Sequence, residues 1–368
     1  MKRIIECVPN FSEGRDLEKV RTISSEVEQV AGVKLLGVDS GWDTNRTVIT
    51  FAGEPERVVE AAFRAARKAA EVIDMRCHHG THPRQGATDV LPLVPVEGVT
   101  LEECADMARR LAARMAREAG IPCYAYEAAA FRPERANLAV CRAGEYEALD
   151  AKLTTPALLP DFLPEGLPVA RAEDIPEHVR RCGCSVVGAR PYLIAVNWNL
   201  NTDSRQVAAD IAAAVRESGR LVRDEHGQVV RVPGTLRCTK AIGWVIDEYG
   251  IAQVSMNMTN LDVTPLHVAY EEVCRQAQRR GVRVTGTEII GLVPRQALLA
   301  AGRHFLCREQ QAAPIEAIGA IDTIETIGTL EALGATATEQ ELLGAAVKAM
   351  GLDELRPFDL RQRVLSVD

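Results

Sequence analysis

A chain of 368 residues is long enough for two domains of ordinary size, each burying its own core. Its 47% hydrophobic and 26% charged content is that of a soluble globular protein, and a formal net charge of −8 argues against a nucleic-acid partner. No apolar run approaches the roughly 18 residues that span a bilayer, and Glu6 interrupts Ile4-Ile5 too early for a secretory signal. The ten cysteines lack a framework spacing and read as reduced thiols in a cytoplasm; Cys182 and Cys184 have no second pair to complete a zinc site.

In chain order, apolar periodicity predicts a strand (Ile4–Phe11), a helix (Leu17–Ala31) and two strands (Val33–Asp39 and Arg46–Ala52). A helix over Glu54–Ile73 follows, then a loop rich in histidine, a short strand (Thr88–Val94), a helix (Leu101–Ala119) and a strand (Pro122–Glu127). Prolines 156, 160, 164, 168 and 176 mark residues 152–182 as a linker or an ordered crossing between domains.

The pattern then returns. Tyr192–Asn199 reads as a strand, Ser204–Ser218 as a helix, and Lys240–Glu248 with Ile251–Met258 as a hairpin-like pair. Thr264-Pro265 caps a helix to about Arg280, before a strand over Val282–Ile289. The fold class expected is therefore α+β, with two ferredoxin-like units. Each is a split βαβ sheet with helices on one face, and the two enclose a substrate groove. Their boundaries are expected at 1–180 and 181–303, with a tail over 304–368. In that tail Ile315, Ile318, Ile321, Ile324, Ile327, Leu330 and Leu333 recur every third residue, a period that builds no steady helical stripe. A flexible insertion over about 312–338 is expected, with a terminal helix at Glu339–Met350.

Chemistry concentrates in residues 74–92, which hold three of the seven histidines. Gly80, Pro83 and Gly86 break any helix there and shape a loop. The residues alone leave three readings. His78 and His82 have the spacing of a helical metal pair, which Gly80 and Pro83 oppose. All three histidines could be structural. Alternatively, one is an acid–base group with Arg84 as an anion clamp. Asp39 ends a strand near this loop and either orients a histidine or belongs to a turn. Tyr124 and Tyr126 share one face of their strand, as core or as pocket lining. Arg46, Arg190, Arg237 and Lys240 are candidate positive charges for a groove, or solvated surface residues.

Glu6-Cys7-Val8-Pro9-Asn10-Phe11-Ser12-Glu13-Gly14, Asn45-Arg46-Thr47-Val48 and Gly80-Thr81-His82-Pro83-Arg84 resemble glutamate formiminotransferases. So do Gly86-Ala87, Gly144-Glu145-Tyr146-Glu147, Gly188-Ala189-Arg190 and Ala252-Gln253-Val254-Ser255-Met256-Asn257, over residues 5 to about 300, with Pro357-Phe358-Asp359 at the end. The resemblance implies transfer of a formimino group from N-formimino-L-glutamate to tetrahydrofolate, in histidine breakdown. It places His82 at the catalytic histidine position, with Asp39 to orient it or to stabilise an amidinium. Arg84, Asn45, Arg46 and Tyr126 are then substrate-binding candidates, and Asp161, Phe162, Pro164, Gly183 and Arg190 folate-binding ones.

Tetrahydrofolate would be a co-substrate, and no metal is required. A homodimer is implied, and a separate cyclodeaminase would take the next step because no such domain follows. Thr81 and Leu163 depart from the family pattern, where Glu and Gly are expected. Other readings of the same residues are formyl transfer involving N-formylglutamate or 5-formyltetrahydrofolate, a metal-dependent amidohydrolase, and a folate-binding protein without turnover.

Overall fold

The computed structural model describes residues 3–312 and 337–365. The chain divides into two compact units, Met1–Tyr192 and Leu193–Asp368. The triplet segment at 315–333 lies outside the described residues. No described helix is long and apolar enough to cross a membrane.

The first unit opens with β1 (Ile4–Cys7) and β2 (Asn10–Phe11), so the single strand expected over Ile4–Phe11 is broken. Val8-Pro9 causes the break: Pro9 has no N–H for the ladder, and its carbonyl accepts from Ile49 instead. Next come α1 (Leu17–Glu28), β3 (Val33–Gly41), β4 (Arg46–Gly53), α2 (Pro55–Val72), β5 (Thr88–Glu97), α3 (Leu101–Ala119) and β6 (Cys123–Glu127). β3 pairs with β4, β4 with β1 and β2, and both of these with β5, all antiparallel. That is the split βαβ arrangement. Ile5, Cys7, Phe11, Ile49, Phe51, Leu91 and Leu93 face one side, where they bury the apolar stripes of α1, α2 and α3. α2 presents mainly alanines (Ala61, Ala62, Ala65, Ala66 and Ala69) and so packs closely. α3 starts at a Thr100–Glu103 capping box and stops at Gly120 in the left-handed region.

Residues 152–182 do not cross between units. They pack within the first, from the end of α5 (Leu149–Thr154), which follows α4 (Leu138–Cys141), through α6 (Glu177–Cys182). Leu149, Leu153, Ile175 and Val179 form a second core against Tyr124, Tyr126, Val90 and Val186, on the sheet face away from α1–α3. Apolar residues spaced between the prolines made this packing possible, and a proline count hid it. The chain then adds β7 (Ser185–Ala189), an unexpected strand lying parallel between β5 and β6.

Gly86 and Gly183 form an isolated bridge at this junction. A Cβ on Gly86 would sit 2.2 Å from the Cys184 carbonyl oxygen, a backbone atom that cannot swing aside. Gly86→Ala should therefore destabilise the unit by about 1–3 kcal/mol as overpacking, read as a lower thermal midpoint.

The second unit runs β8 (Ile194–Leu200), α7 (Arg205–Val215), β9 (Arg220–Arg223), β10 (Val229–Val232), β11 (Thr239–Ile246), β12 (Ile251–Met258), α8 (Leu266–Gln278) and β13 (Val284–Ile290). β14 (Val293–Pro294), α9 (Arg295–Ala312), α10 (Glu339–Met350), α11 (Leu360–Arg363) and β15 (Val364–Leu365) complete it. Its sheet order, β11-β12-β8-β13, repeats the split βαβ pattern of the first unit. The β9–β10 hairpin between α7 and β11 was not legible from periodicity. Thr264 is not the helix cap expected: Pro265 takes that position, and the Thr264 hydroxyl donates to the Arg237 carbonyl.

Candidate active site

In the first unit the histidine loop is stitched to the β3–β4 turn chiefly through Asn45. Asn45 sits at φ 44°, where its side-chain oxygen accepts from Gly14 N (3.0 Å) and its nitrogen donates to the His79 carbonyl (3.0 Å). Thr81 N donates to the Asp43 carbonyl. Gly80 permits the close approach, since a Cβ there would lie 2.2 Å from the Thr44 carbonyl oxygen. The Ser-Glu-Gly motif serves the same junction: Glu13 accepts from the backbone of Gly14, Arg15 and Asp16.

The three histidines separate. His78 is buried, its Nε2 donating to the Asn45 carbonyl (2.7 Å) and its Nδ1 accepting from Arg84 Nε (3.4 Å). Burial, opposed by that carbonyl, lowers its pKa, so it is a neutral structural imidazole. His79 is exposed. His82 is half-buried, and its Nδ1 bonds the Pro83 carbonyl at 2.7 Å. A carbonyl only accepts, so Nδ1 carries the proton and Nε2 is the lone-pair nitrogen. Burial first, then Arg46 and Arg142, push the His82 pKa well below the usual histidine range, against Asp89. Among the described residues, no group of three or more His, Cys, Asp or Glu side chains is placed to hold a metal ion.

Those neighbours form a buried ionic cluster. Asp89, fully buried, pairs with Arg46 Nη1 (2.7 Å) and Arg142 Nη2 (2.6 Å), and accepts from Gln85 N (3.0 Å). Burial alone would raise its carboxyl, but Arg142, Arg46 and His82 together hold it at about 2. Arg46 Nε also donates to Asn10 (3.1 Å), and Arg142 Nε is buried with no hydrogen-bond partner among the described residues.

Strand alternation carries further polar groups to the sheet face away from α1–α3. Val48 lies on that face because Ile49 enters the core, and Asp39 is its direct ladder partner. Glu6 lies between the core residues Ile5 and Cys7 and is 1% exposed. Burial raises its carboxyl to about 7 against the pull of Arg190. Arg190 follows the end of β7 and hydrogen-bonds Tyr126, whose hydroxyl is pushed up to about 12 by burial. The Tyr126 ring lies over Gly188, where a Cβ would be 2.4 Å from the ring.

Other expected site residues are engaged elsewhere. Arg84, expected as an anion clamp, is buried and holds Glu147 bidentately (2.7 Å to each oxygen) together with Glu145 (3.2 Å). Asp161 accepts from Ala125 N (2.9 Å) and pairs with Arg135 (2.5 Å). Phe162 bridges Cys123 at the edge of β6, Pro164 is buried, and Gly183 meets Gly86. Tyr124 donates to the Leu158 carbonyl and faces the second core. Arg237 and Lys240 are exposed residues of the second unit.

Sequence reasoning missed Glu6, Asp89 and Arg142. Period-two alternation around Glu6 was a usable signal. Nothing local marked Arg142, which reaches Asp89 from 53 residues away.

The site is thus a lowered-pKa histidine beside an Arg–Asp–Arg cluster, a set of groups suited to proton transfer on an anionic substrate. Residues 4–190 match the formiminotransferase domain, N-terminal subdomain, and residues 195–333 match the formiminotransferase domain. The chain belongs to the formiminotransferase domain family.

Among its relatives, the formimidoyltransferase-cyclodeaminase of Sus scrofa is 41% identical over 99% of this chain and 60% of its own length. The glutamate formimidoyltransferases of Streptococcus pyogenes serotype M1 and Thermoplasma acidophilum are each 39% identical. Those alignments cover 83% and 82% of this chain, and 94% and 92% of the relatives. The chain therefore spans 60% of the cyclodeaminase-bearing relative and most of the two shorter ones.

Proposed function

We propose that the protein transfers the formimino group from N-formimino-L-glutamate to tetrahydrofolate, giving 5-formiminotetrahydrofolate and L-glutamate. The observation that carries this reading is His82, an imidazole kept neutral beside cationic groups, in a chain of this family. In the reaction, folate N5 attacks the amidine carbon and forms a tetrahedral intermediate. His82 Nε2 takes the N5 proton and returns it to the glutamate nitrogen as the C–N bond breaks. Only a neutral imidazole can begin that cycle, and burial among cations keeps it neutral.

Arg142, with its unpartnered Nε, is assigned to a substrate carboxylate, and Arg46 to the same anion through the cluster. Asp39 is assigned to the amidinium charge that develops at the reacting carbon. Arg190 and Tyr126 are assigned to the folate co-substrate. Arg84 and Asn45 support the loop, since both spend their polar atoms on the protein. The scheme uses no metal ion and no covalent intermediate, and the ten free cysteines support a reducing cytoplasm as its setting.

The test is formation of 5-formiminotetrahydrofolate from the two substrates, with glutamate released in equal amount. Turnover with N-formylglutamate and none with the formimino donor would replace the donor and keep the proton scheme. Tetrahydrofolate binding without turnover of either donor would reject transfer.

A further inference from the structure

We propose that Lys152 is a positioning residue for this reaction: its buried ammonium bridges Gln85 and Glu145, and so fixes the turn that carries Arg142 against the loop that carries His82. The inference rests on the reading that Arg142 meets the donor's carboxylate and His82 moves the proton.

Three observations carry it. Lys152, on α5, is buried, and its Nζ donates to Gln85 Oε1 (2.6 Å) and to the Glu145 carbonyl (3.1 Å). Those two contacts close a ring. Gln85 N donates to Asp89 (3.0 Å), Asp89 accepts from Arg142 Nη2 (2.6 Å), and the Arg142 carbonyl accepts from Glu145 N (2.8 Å). Arg142 is thus anchored at its tip by Asp89 and at its backbone, through Glu145, by Lys152. Second, Glu145 sits at φ 54°, a left-handed conformation that a residue with a Cβ keeps only under constraint. Its carboxylate accepts from Arg84 N (3.0 Å), and Lys152 holds its carbonyl. Third, Gln85 is 1% exposed and its Nε2 has no hydrogen-bond partner among the described residues, so Lys152 alone orients that amide.

The energetics of the arrangement point to its use. Both acceptors of the ammonium are neutral oxygens, and burying a cation without an anion in contact costs free energy that a methionine of similar length would not. What the lysine supplies instead is two directed hydrogen bonds from one atom, to two segments far apart in the chain. A shift of about 1 Å between substrate-holding and reacting groups is enough to spoil the geometry of attack. Lys152 therefore acts on donor binding and on proton transfer. Affinity for tetrahydrofolate, assigned to Arg190 and Tyr126, lies outside its reach.

The experiment is steady-state kinetics of wild type, Lys152→Met, Gln85→Met and the double variant, each titrated in both substrates. Lys152→Met should lower kcat/KM for formiminoglutamate about 10²-fold, through a higher KM as well as a lower kcat. KM for tetrahydrofolate should stay within about twofold of wild type. Gln85→Met should show the same selective loss, and the double variant should lose no more than Lys152→Met alone, because both remove one contact. Unchanged constants, a loss confined to kcat, equal rises in both KM values, or losses that add in the double variant would overturn the proposal. If Lys152→Met does not fold, Gln85→Met decides alone, and unchanged constants reject the role. A wild type without turnover would reject the formimino reading instead. The imidazole nitrogen resonances of His82, assigned by their loss in His82→Ala, would then decide the role of Lys152. A shift of those signals in Lys152→Met supports positioning, and coincident signals reject it.

Discussion

Replacing His82 with alanine should lower kcat by about 10²–10⁴ while leaving the fold intact, the range for loss of a general acid–base. The side chain is half-buried and its Nδ1 bonds the next residue's carbonyl, within its own loop, so its removal should leave the fold in place. The loss is therefore a chemical one. A second result should accompany it. Because burial, Arg46 and Arg142 lower the His82 pKa, kcat in the wild type should stay flat through neutrality and fall only on the acid side. Arg142→Ala removes one of those charges, so its acid limb should move upward towards about 6.5. Circular dichroism with single-turnover kinetics separates these outcomes. Equal rates for wild type and His82→Ala would remove the histidine from the mechanism.

The second large effect is on stability. Asp89→Ala leaves Arg46 and Arg142 facing each other with side chains only 7% and 13% exposed. Breaking a buried charge network by deleting one partner costs about 3–5 kcal/mol, so the mutant should show a sharply lower thermal midpoint or no folding. Asp89→Asn keeps the shape and loses the charge, which separates packing from electrostatics. The wild type should report the same group in acid. An aspartate held at about 2 when folded, against about 3.8 unfolded, contributes stability that is complete above pH 4. That contribution, about 2 kcal/mol, disappears as pH falls through about 2. A denaturant midpoint flat between about pH 5 and 2 in wild type would remove Asp89 from the balance.

Much of the fold could be read from the residues because its helices are long and its strands alternate. α2 and α3 announced themselves through Ala/Glu/Arg-rich stripes of 3.6-residue period. β7 did not: Ser-Val-Val-Gly-Ala is buried on both faces and parallel to its neighbours, so it shows no alternation. The prolines of 152–182 suggested a linker or a crossing between domains, but between them Ile175 and Val179 anchor a core within the first unit.

For the site, the histidine loop was found because glycine and proline leave a local mark. The ionic cluster was not, since it joins Arg46, Asp89 and Arg142 only after the chain has folded. Arg84 shows the complementary problem. Its position invited a ligand role, yet Glu145 and Glu147 supply its anions from within the protein.

The placement of β7 between β5 and β6 has a consequence for how the protein comes into being. When synthesis has passed Glu127, the nascent chain holds every strand of the first sheet but one, and the missing strand belongs in the middle. Apart from the single bridge that Phe162 makes with Cys123, β6 has no ladder partner until Ser185–Ala189 emerges, so it must wait beside an open slot. The residues between them, with α5 and α6, are made during that wait. The last strand of the unit thus acts as a keystone, and a fragment ending before Ser185 would be a sheet with a gap in it rather than a smaller version of the same unit.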